Sequence, residues 1–326
     1  MRGLLLGCGA VCALVTACSG ANSSSHGFAS TDGGSSSGGG SSSGGSGGGS
    51  GGLINGDGGS SSGGNGCSGA AADYVYVLSA ENVLYSFAPN AKMFTKIGPL
   101  GCQTSMQPNS MAVDRNAVAY VNYVATGGLG TDTAGAIYQV STSDASCTGP
   151  VMSLPAGWYR IGMGYSTVNT GSTAETLYVD GVGNGVTGGG SGLGLVDFGK
   201  GTVGPIGPFT GSLAGQNAEL TGTGSGTLFG FFTTTPVYVA QIDKSSGATM
   251  TPVPMTGVQK PNDWAFSFWG GHFYLYTSQG QGVGNGSDVT DYDPVSGSID
   301  TTFMTGIGFD IVGAGVSTCA PTTGAQ

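Results

Sequence analysis

Histidine, the side chain that most often transfers protons in enzymes, occurs twice in this chain, at His26 and His272. His26 lies in a segment made almost only of Gly and Ser, so a histidine-based dyad or triad must use His272. His272 stands between Gly271 and Phe273 at the start of an aromatic stretch, a position typical of a turn. The sequence therefore predicts no catalytic residue.

Carboxylates that could hold a metal ion come close together at one place, where Asp288, Asp291 and Asp293 follow one another. Asp291 and Asp293 are two residues apart and would share one face of a strand. Clustered oxygens are the ligands that Ca²⁺ prefers. However, the spacing departs from the Asp-x-Asp-x-Asp-Gly loop pattern, and positions in turns or at strand ends explain these residues more simply. We assign no metal site and keep the three aspartates as its weak candidates.

A Gly-rich stretch and a set of aromatic residues are two further candidates for ligand sites. The Gly-rich stretch 181–194 lacks the Lys-Ser/Thr pair and the following helix of a phosphate loop, so no cofactor is predicted. Five aromatic residues could form a stacking platform for sugars, although packing between blades is the ordinary use of such rings: Trp158, Tyr159, Trp264, Phe268 and Trp269.

The N-terminus has the pattern of a signal peptide, residues 1–17. Its apolar run of about 15 residues is shorter than the roughly 20 that a membrane span needs. The run ends in Val15-Thr16-Ala17-Cys18, which resembles the lipobox of bacterial lipoproteins. That resemblance implies a lipidated Cys18 that attaches the mature chain to a membrane. Ser19, rather than Asp, follows it, which favours the outer membrane of the cell envelope, facing the periplasm or the exterior.

Residues 18–66 consist of Cys18 and a linker dominated by Gly and Ser. Such a composition cannot bury enough apolar surface to offset its conformational entropy, so we expect a disordered spacer. Loss of the signal peptide leaves 7 of the 8 basic residues beside all 18 acidic ones. So few cations cannot neutralise a phosphate backbone, which argues against a nucleic-acid partner.

The remaining chain, residues 67–321 with a short disordered tail at 322–326, has the pattern of an all-β domain. Stretches such as 74–78 and 273–276 are rich in β-branched and aromatic residues, and no helical period extends over a dozen residues. A four-strand unit recurs about every 50 residues, the span of a propeller blade. The turns after the third strand, at 243–247 and 293–297, show the repeat most clearly.

The two ends of this region complement each other. Residues 74–97 supply only three strands, and residues 310–316 supply one strand of the first type. Together they would complete a fifth blade and leave no open sheet edge. We predict a five-bladed β-propeller closed by pairing the C-terminal strand with the N-terminal three strands. A six-bladed ring and an irregular β-solenoid stay as alternatives.

Four cysteines remain in the folded region, an even number that suits an oxidising compartment. Four cysteines allow three pairings, and only the blade assignment chooses among them. Cys67 and Cys319 flank the split blade, so they are expected to pair, and Cys102 would then pair with Cys147.

The chain resembles a family of surface lipoproteins from myxobacteria that has no assigned activity. The segments that carry the resemblance are 108–115, 160–164, 219–224 and 228–232. The resemblance implies a lipoprotein with a Gly/Ser linker and a propeller-like domain, and it adds no catalytic residue.

These features favour a membrane-anchored, extracytoplasmic, non-enzymatic binding module that is monomeric and displays a propeller to a protein or glycan ligand. The alternative is a Ca²⁺-dependent hydrolase or lyase with its site at the mouth of the channel. A structural envelope component is a third option. Convergence of polar side chains, among them Arg160 and His272, at one face of the ring would identify a site.

Overall fold

A computed structural model describes residue 67 and residues 73–182, 190–280 and 284–323. The predicted signal peptide (1–17) and the predicted lipidated Cys18 with its linker (18–66) lie outside the described residues, as does most of the 322–326 tail. The described residues form twenty strands and three short 3-10 turns, at Pro89–Ala91, Gly128–Gly130 and Gly211–Leu213. No helix among them is long and apolar enough to cross a membrane.

The strands form five antiparallel sheets of four strands each, as the repeat predicts. The first blade is β4 (Gln107–Val113), β5 (Val118–Thr126), β6 (Asp132–Ser141) and β7 (Cys147–Ser153). The second is β8 (Ile161–Thr167), β9 (Glu175–Gly181), β10 (Gly192–Asp197) and β11 (Thr202–Gly207). The third is β12 (Ala218–Gly222), β13 (Leu228–Phe232), β14 (Tyr238–Ile242) and β15 (Thr249–Pro254). The fourth is β16 (Asp263–Trp269), β17 (His272–Ser278), β18 (Asp288–Tyr292) and β19 (Ile299–Met304).

The fifth sheet, the split blade, joins the two ends of the folded region. Its strands are β20 (Ile311–Val316), β1 (Val75–Ser79), β2 (Val83–Ala88) and β3 (Met93–Pro99), paired in that order. Strand β20 runs antiparallel to β1, with Val75 opposite Val316. This pairing confirms the predicted closure, and the five sheets exclude the six-bladed ring and the solenoid.

The core lies between the blades. Five clusters of buried apolar side chains occur, and each one is shared by two neighbouring blades. Phe87 of the split blade, for example, packs edge-on against Tyr274 and Tyr276 of the fourth. Because burial of such rings is the main source of stabilisation, every blade depends on both of its neighbours.

The five innermost strands, β20, β4, β8, β12 and β16, contact one another in a closed ring. Glycine permits the closest approaches. A Cβ on Gly162 of β8 would lie 2.0 Å from the carbonyl oxygen of Ala218. A Cβ on Gly313 of β20 would lie 2.9 Å from the amide nitrogen of Met111. The backbones therefore touch where a larger residue could not fit, and this contact narrows the channel.

Both predicted disulfides are present. Cys67 pairs with Cys319 across a sequence separation of 252 residues, beside the seam of the ring. Cys102 pairs with Cys147 across 45 residues and links the segment after β3 to the outer strand of the first blade.

Candidate functional site

The inner strands all begin at the same end of the channel, here called the cavity mouth. A cavity of about 380 Å³ lies there and is lined by residues from all five blades. One polar side chain from each of four blades lines the cavity, three of them directly before an inner strand and Asn109 two residues inside β4: Asn109, Arg160, Asn217 and Asn262. The propeller thus brings together residues that are 45 or more positions apart in the sequence.

Arg160 enters the cavity from the turn before β8, and each of its three side-chain nitrogens donates a hydrogen bond. Its Nε and Nη2 donate to the two carboxylate oxygens of Asp132 at 2.9 and 3.0 Å. Its Nη1 donates to Oδ1 of Asn109 at 2.5 Å. The Asp132 side chain is only 6 % exposed, so this ion pair holds the wall between the first and second blades.

Asn109 is oriented by further contacts of its amide nitrogen. Nδ2 donates to Oδ1 of Asn122 and to the carbonyl of Ile161, both at 2.9 Å. Asn122 is fully buried and also accepts from the Ile161 amide at 3.2 Å. The wall of the cavity is therefore a connected network with fixed donor and acceptor directions.

Glu219 of β12 reaches the cavity from the third blade and is 4 % exposed. Its Oε1 accepts from the Ser110 hydroxyl and from the Met163 amide, the latter at 3.2 Å. Burial raises the pKa of the Glu219 carboxyl well above its ordinary value, and the nearby Asp180 carboxyl raises it further. Both hydrogen bonds fall on Oε1, so Oε2 has no hydrogen-bond partner among the described residues.

Asp263 and Trp264, at the start of β16, complete the cavity from the fourth blade. Burial raises the pKa of the half-buried Asp263, and the Asp310 carboxyl adds to the rise while Arg160 opposes it. Asp310, which directly precedes β20, is 5 % exposed. Its Oδ1 and that of Asp180 are the buried side-chain oxygens without a hydrogen-bond partner in the described part of the chain. Within the described part of the chain, Glu219 and Asp263 are thus the carboxyl groups without an ion pair that line this cavity, while Asp310 lines a second cavity beside Glu81.

The opposite end of the channel, here called the covered mouth, is crossed by the segment that follows β20. The Thr318 hydroxyl donates to Oε2 of Glu175 in the second blade at 2.7 Å. The Pro321 carbonyl accepts from the Gly270 amide of the fourth blade at 2.9 Å. Cys319 in this segment forms a disulfide with Cys67, and Nη2 of Arg115 in the first blade lies 3.6 Å from the Cys67 sulfur. This end is therefore closed by the chain itself.

Of the candidate site residues that the sequence indicates, only Arg160 and Trp264 line the cavity. Nδ1 of His272 is 2.8 Å from Oδ1 of Asp291, on β17 and β18, and His272 does not line the cavity. Asp288 accepts from the Gly306 amide, and Asp293 accepts from the Val295 amide within a tight turn. Among the residues described, no group of three or more His, Cys, Asp or Glu side chains could hold a metal ion.

Of the five aromatic candidates, only Trp264 lines the cavity. Phe268 and Trp269 are each 8 % exposed, and Trp158 packs against the cluster between the first and second blades. The carbonyl of Tyr159 accepts from the Asn122 amide at 3.1 Å. Packing between blades accounts for Trp158, Phe268 and Trp269, so these rings do not join Trp264 in a platform.

Comparisons with known proteins return structural likeness only. No family model and no curated protein matches the chain. A gluconolactonase from Xanthomonas campestris is 12 % identical with a TM-score of 0.38, covering 63 % of this chain and 68 % of its own. A protein from Bacteroides caccae is 11 % identical with a TM-score of 0.39, covering 74 % and 97 %. Likeness at this level says nothing about the activity of this chain.

Proposed function

We propose that this chain is a lipid-anchored binding module of the cell envelope, and that its ligand site is the cavity at the cavity mouth. The observation that carries the proposal is the convergence of polar side chains from separate blades in one cavity of about 380 Å³. Ligand sites are concave and place a few polar groups in fixed directions. The lipobox-like Cys18 and the Gly/Ser linker support display from a membrane.

The chemistry of the cavity suits a sugar unit of a glycan. Both N–H groups of Asn109 donate within the cavity wall, so toward a ligand this side chain can only accept. Asn262 uses one N–H on the Gln279 carbonyl and keeps a donor and an acceptor, as a hydroxyl group requires. Trp264 offers an aromatic surface beside them. The cavity lies within the size range of small-molecule sites, so one or two sugar rings fit it better than a folded protein surface.

A glycan array followed by calorimetry tests this proposal on the mature chain carrying Cys18→Ser, which leaves out the lipid. We expect at least one glycan to bind, and Asn262→Ala to weaken it about tenfold, the equivalent of one good hydrogen bond. Asn116→Ala, an exposed change in the turn that follows β4 at the opposite end of that strand, is the matched control and should leave affinity unchanged. Equal effects of the two substitutions would contradict a site at the cavity mouth.

One observation favours a second candidate, a hydrolase. Glu219 and Asp263 share the cavity, and both have a raised pKa. A neutral carboxyl beside a second carboxyl is the arrangement of acid–base catalysis on glycosidic bonds. Incubation of any bound glycan with the chain and with Glu219→Gln separates the roles, since only an enzyme releases products that the variant does not.

A further inference from the structure

The charges at the cavity mouth do not balance. Arg160 is the only basic residue lining the cavity in the described part of the chain, and its guanidinium is paired with Asp132 in two hydrogen bonds. The pair is neutral as a whole, and the third hydrogen bond of Arg160 goes to Asn109. Arg160 therefore has little capacity left to attract an anionic ligand.

Two carboxyl groups remain in the cavity after this pair is set aside. Neither Glu219 nor Asp263 forms an ion pair with any described residue. Glu219 is nine-tenths buried, and its Oε1 is held by Ser110 and Met163, which leaves Oε2 for the cavity. A carboxyl oxygen fixed in this way is an acceptor, or a proton carrier, with a set direction.

The surroundings of Asp263 add further negative charge. Asp310 lies close enough to raise the pKa of Asp263, and Glu81 does the same from the β1–β2 turn. The buried Oδ1 of Asp310 has no hydrogen-bond partner among the described residues. Burying carboxyl groups without a counter-charge is costly, so a ligand that brings a positive charge would remove part of that cost.

An aromatic ring lines the same cavity. Trp264 follows Asp263 in β16 and also lines the cavity. The face of an indole ring attracts a cation, and this attraction grows when water is excluded. Two carboxyls and an indole ring in one cavity suit an ammonium group, whereas neither carboxyl offers a counter-charge to an anion.

We propose that the cavity selects ligands that carry a protonated amino group on a hydroxylated ring, as amino sugars do, with the ammonium placed between Glu219 Oε2 and Asp263. The inference rests on the proposed binding function and specifies its ligand. The Asn262 amide would take a hydroxyl group of the ring. An N-acetylated sugar lacks the charge and is expected to bind less well.

Proton release accompanies such binding. The pKa values of Glu219 and Asp263 are raised in the absence of a ligand, by burial first and then by Asp180 for Glu219 and by Asp310 for Asp263. Arg160 acts on Asp263 in the opposite direction. An incoming ammonium favours the ionised carboxyls, so affinity should rise with pH until the amine loses its own proton.

The experiment compares two probes of equal length, the trimer of glucosamine and its fully N-acetylated counterpart, by calorimetry on the mature full chain with Cys18→Ser. We expect the glucosamine trimer to bind at least tenfold more tightly, and Asp263→Asn and Glu219→Gln each to reduce its affinity about tenfold. Asp300→Asn, which removes one exposed carboxylate from the outer strand β19, is the control for net charge and should have no effect.

The outcomes separate this inference from the proposed function. Equal affinity for the two trimers, or affinity that survives Asp263→Asn, overturns the selection for an amine. Binding of neutral glycans without any binding of the glucosamine trimer also overturns it, while leaving the binding function in place. Loss of affinity in Asp300→Asn as large as in Asp263→Asn would show attraction by net charge only, and it would overturn the assigned position of the ammonium.

Discussion

The two mouths of the channel are built from the same five strands and have opposite properties. At the covered mouth, Thr318 is hydrogen-bonded to Glu175, Pro321 to Gly270, and Cys319 is bonded to Cys67. At the cavity mouth, carboxyl groups remain without ion-pair partners, and buried oxygens of Asp180 and Asp310 lack hydrogen bonds. One end contributes stability, and the other retains the polar groups that a ligand can satisfy.

The difference follows from the direction of the inner strands. Every inner strand starts at the cavity mouth, so the residues just before it, mostly Asn, Arg or Asp, collect there. The chain leaves β20 at the other end, and residues 317–321 are available to close only that end. In this propeller, residues 317–321 therefore close one mouth, and the cavity lies at the other.

The largest effect is expected at the covered mouth. Replacing Cys67 and Cys319 together by Ser should lower the free energy of unfolding by about 5 kcal/mol, because the disulfide restricts a very long loop of the unfolded chain. The same change at Cys102 and Cys147 should cost about 4 kcal/mol, since that loop is shorter. Urea unfolding of both double variants measures these free energies. A smaller loss for the Cys67/Cys319 variant than for the Cys102/Cys147 variant would contradict the expectation that closure at the seam stabilises the ring.

A smaller effect is expected when the wall of the cavity mouth is broken. Arg160→Gln leaves Asp132 buried without its counter-charge, which should lower the free energy of unfolding by about 2 kcal/mol, less than for a fully buried pair because Arg160 is partly exposed. Lys200→Gln removes the partner of Asp197 in an exposed ion pair and serves as the control. A similar loss in both variants would show that the cavity wall is no different from the surface.

Thr318→Val sharpens the comparison at the covered mouth. The substitution removes the hydrogen bond to Glu175 and should cost about 1 kcal/mol. The loss should be local, so hydrogen exchange should accelerate at residues 317–321 and at the β8–β9 turn while the other blades keep their protection. Uniform acceleration around the ring would argue against a segment that acts as a separate cover.

The smallest effect concerns pH. The folded state keeps a proton on Glu219 that the unfolded chain releases above its ordinary pKa of 4.5, so stability falls as pH rises from that value. Glu219→Gln removes this contribution and should flatten the decline of Tm between acidic and neutral pH. Asp293→Gln, in an exposed turn where hydrogen bonds lower the carboxyl pKa, should leave the decline in place. A steeper decline in Glu219→Gln would refute the sign of this linkage.

The sequence was sufficient to predict the architecture of the ring. The period of about 50 residues and the complementary ends identified five blades, and the blade assignment selected the pairing of Cys67 with Cys319. The strand pattern of each blade is local, and the blade period is a spacing along the chain, so both can be read from the sequence.

The cavity could not be predicted in the same way. Asn109, Asn217 and Asn262 form no motif, because each lies in a different blade and they meet only once the ring has closed. A usable signal was the polar residue that precedes the small-residue strand of each unit. The three aspartates show the opposite case. Asp288, Asp291 and Asp293 are close in sequence, but each one has a different hydrogen-bond partner: Gly306, His272 and Val295 respectively.

The bond between Cys67 and Cys319 also sets how the ring responds to mechanical force. A pull on the chain before Cys67 does not reach β1 alone, because the sulfur bridge passes the tension directly to the segment after β20. Strand β20 is the innermost strand of the split blade and is paired along its length with β1. Tension applied to the chain before Cys67 would thus be shared between β1 and β20 and would not peel β1 from the sheet.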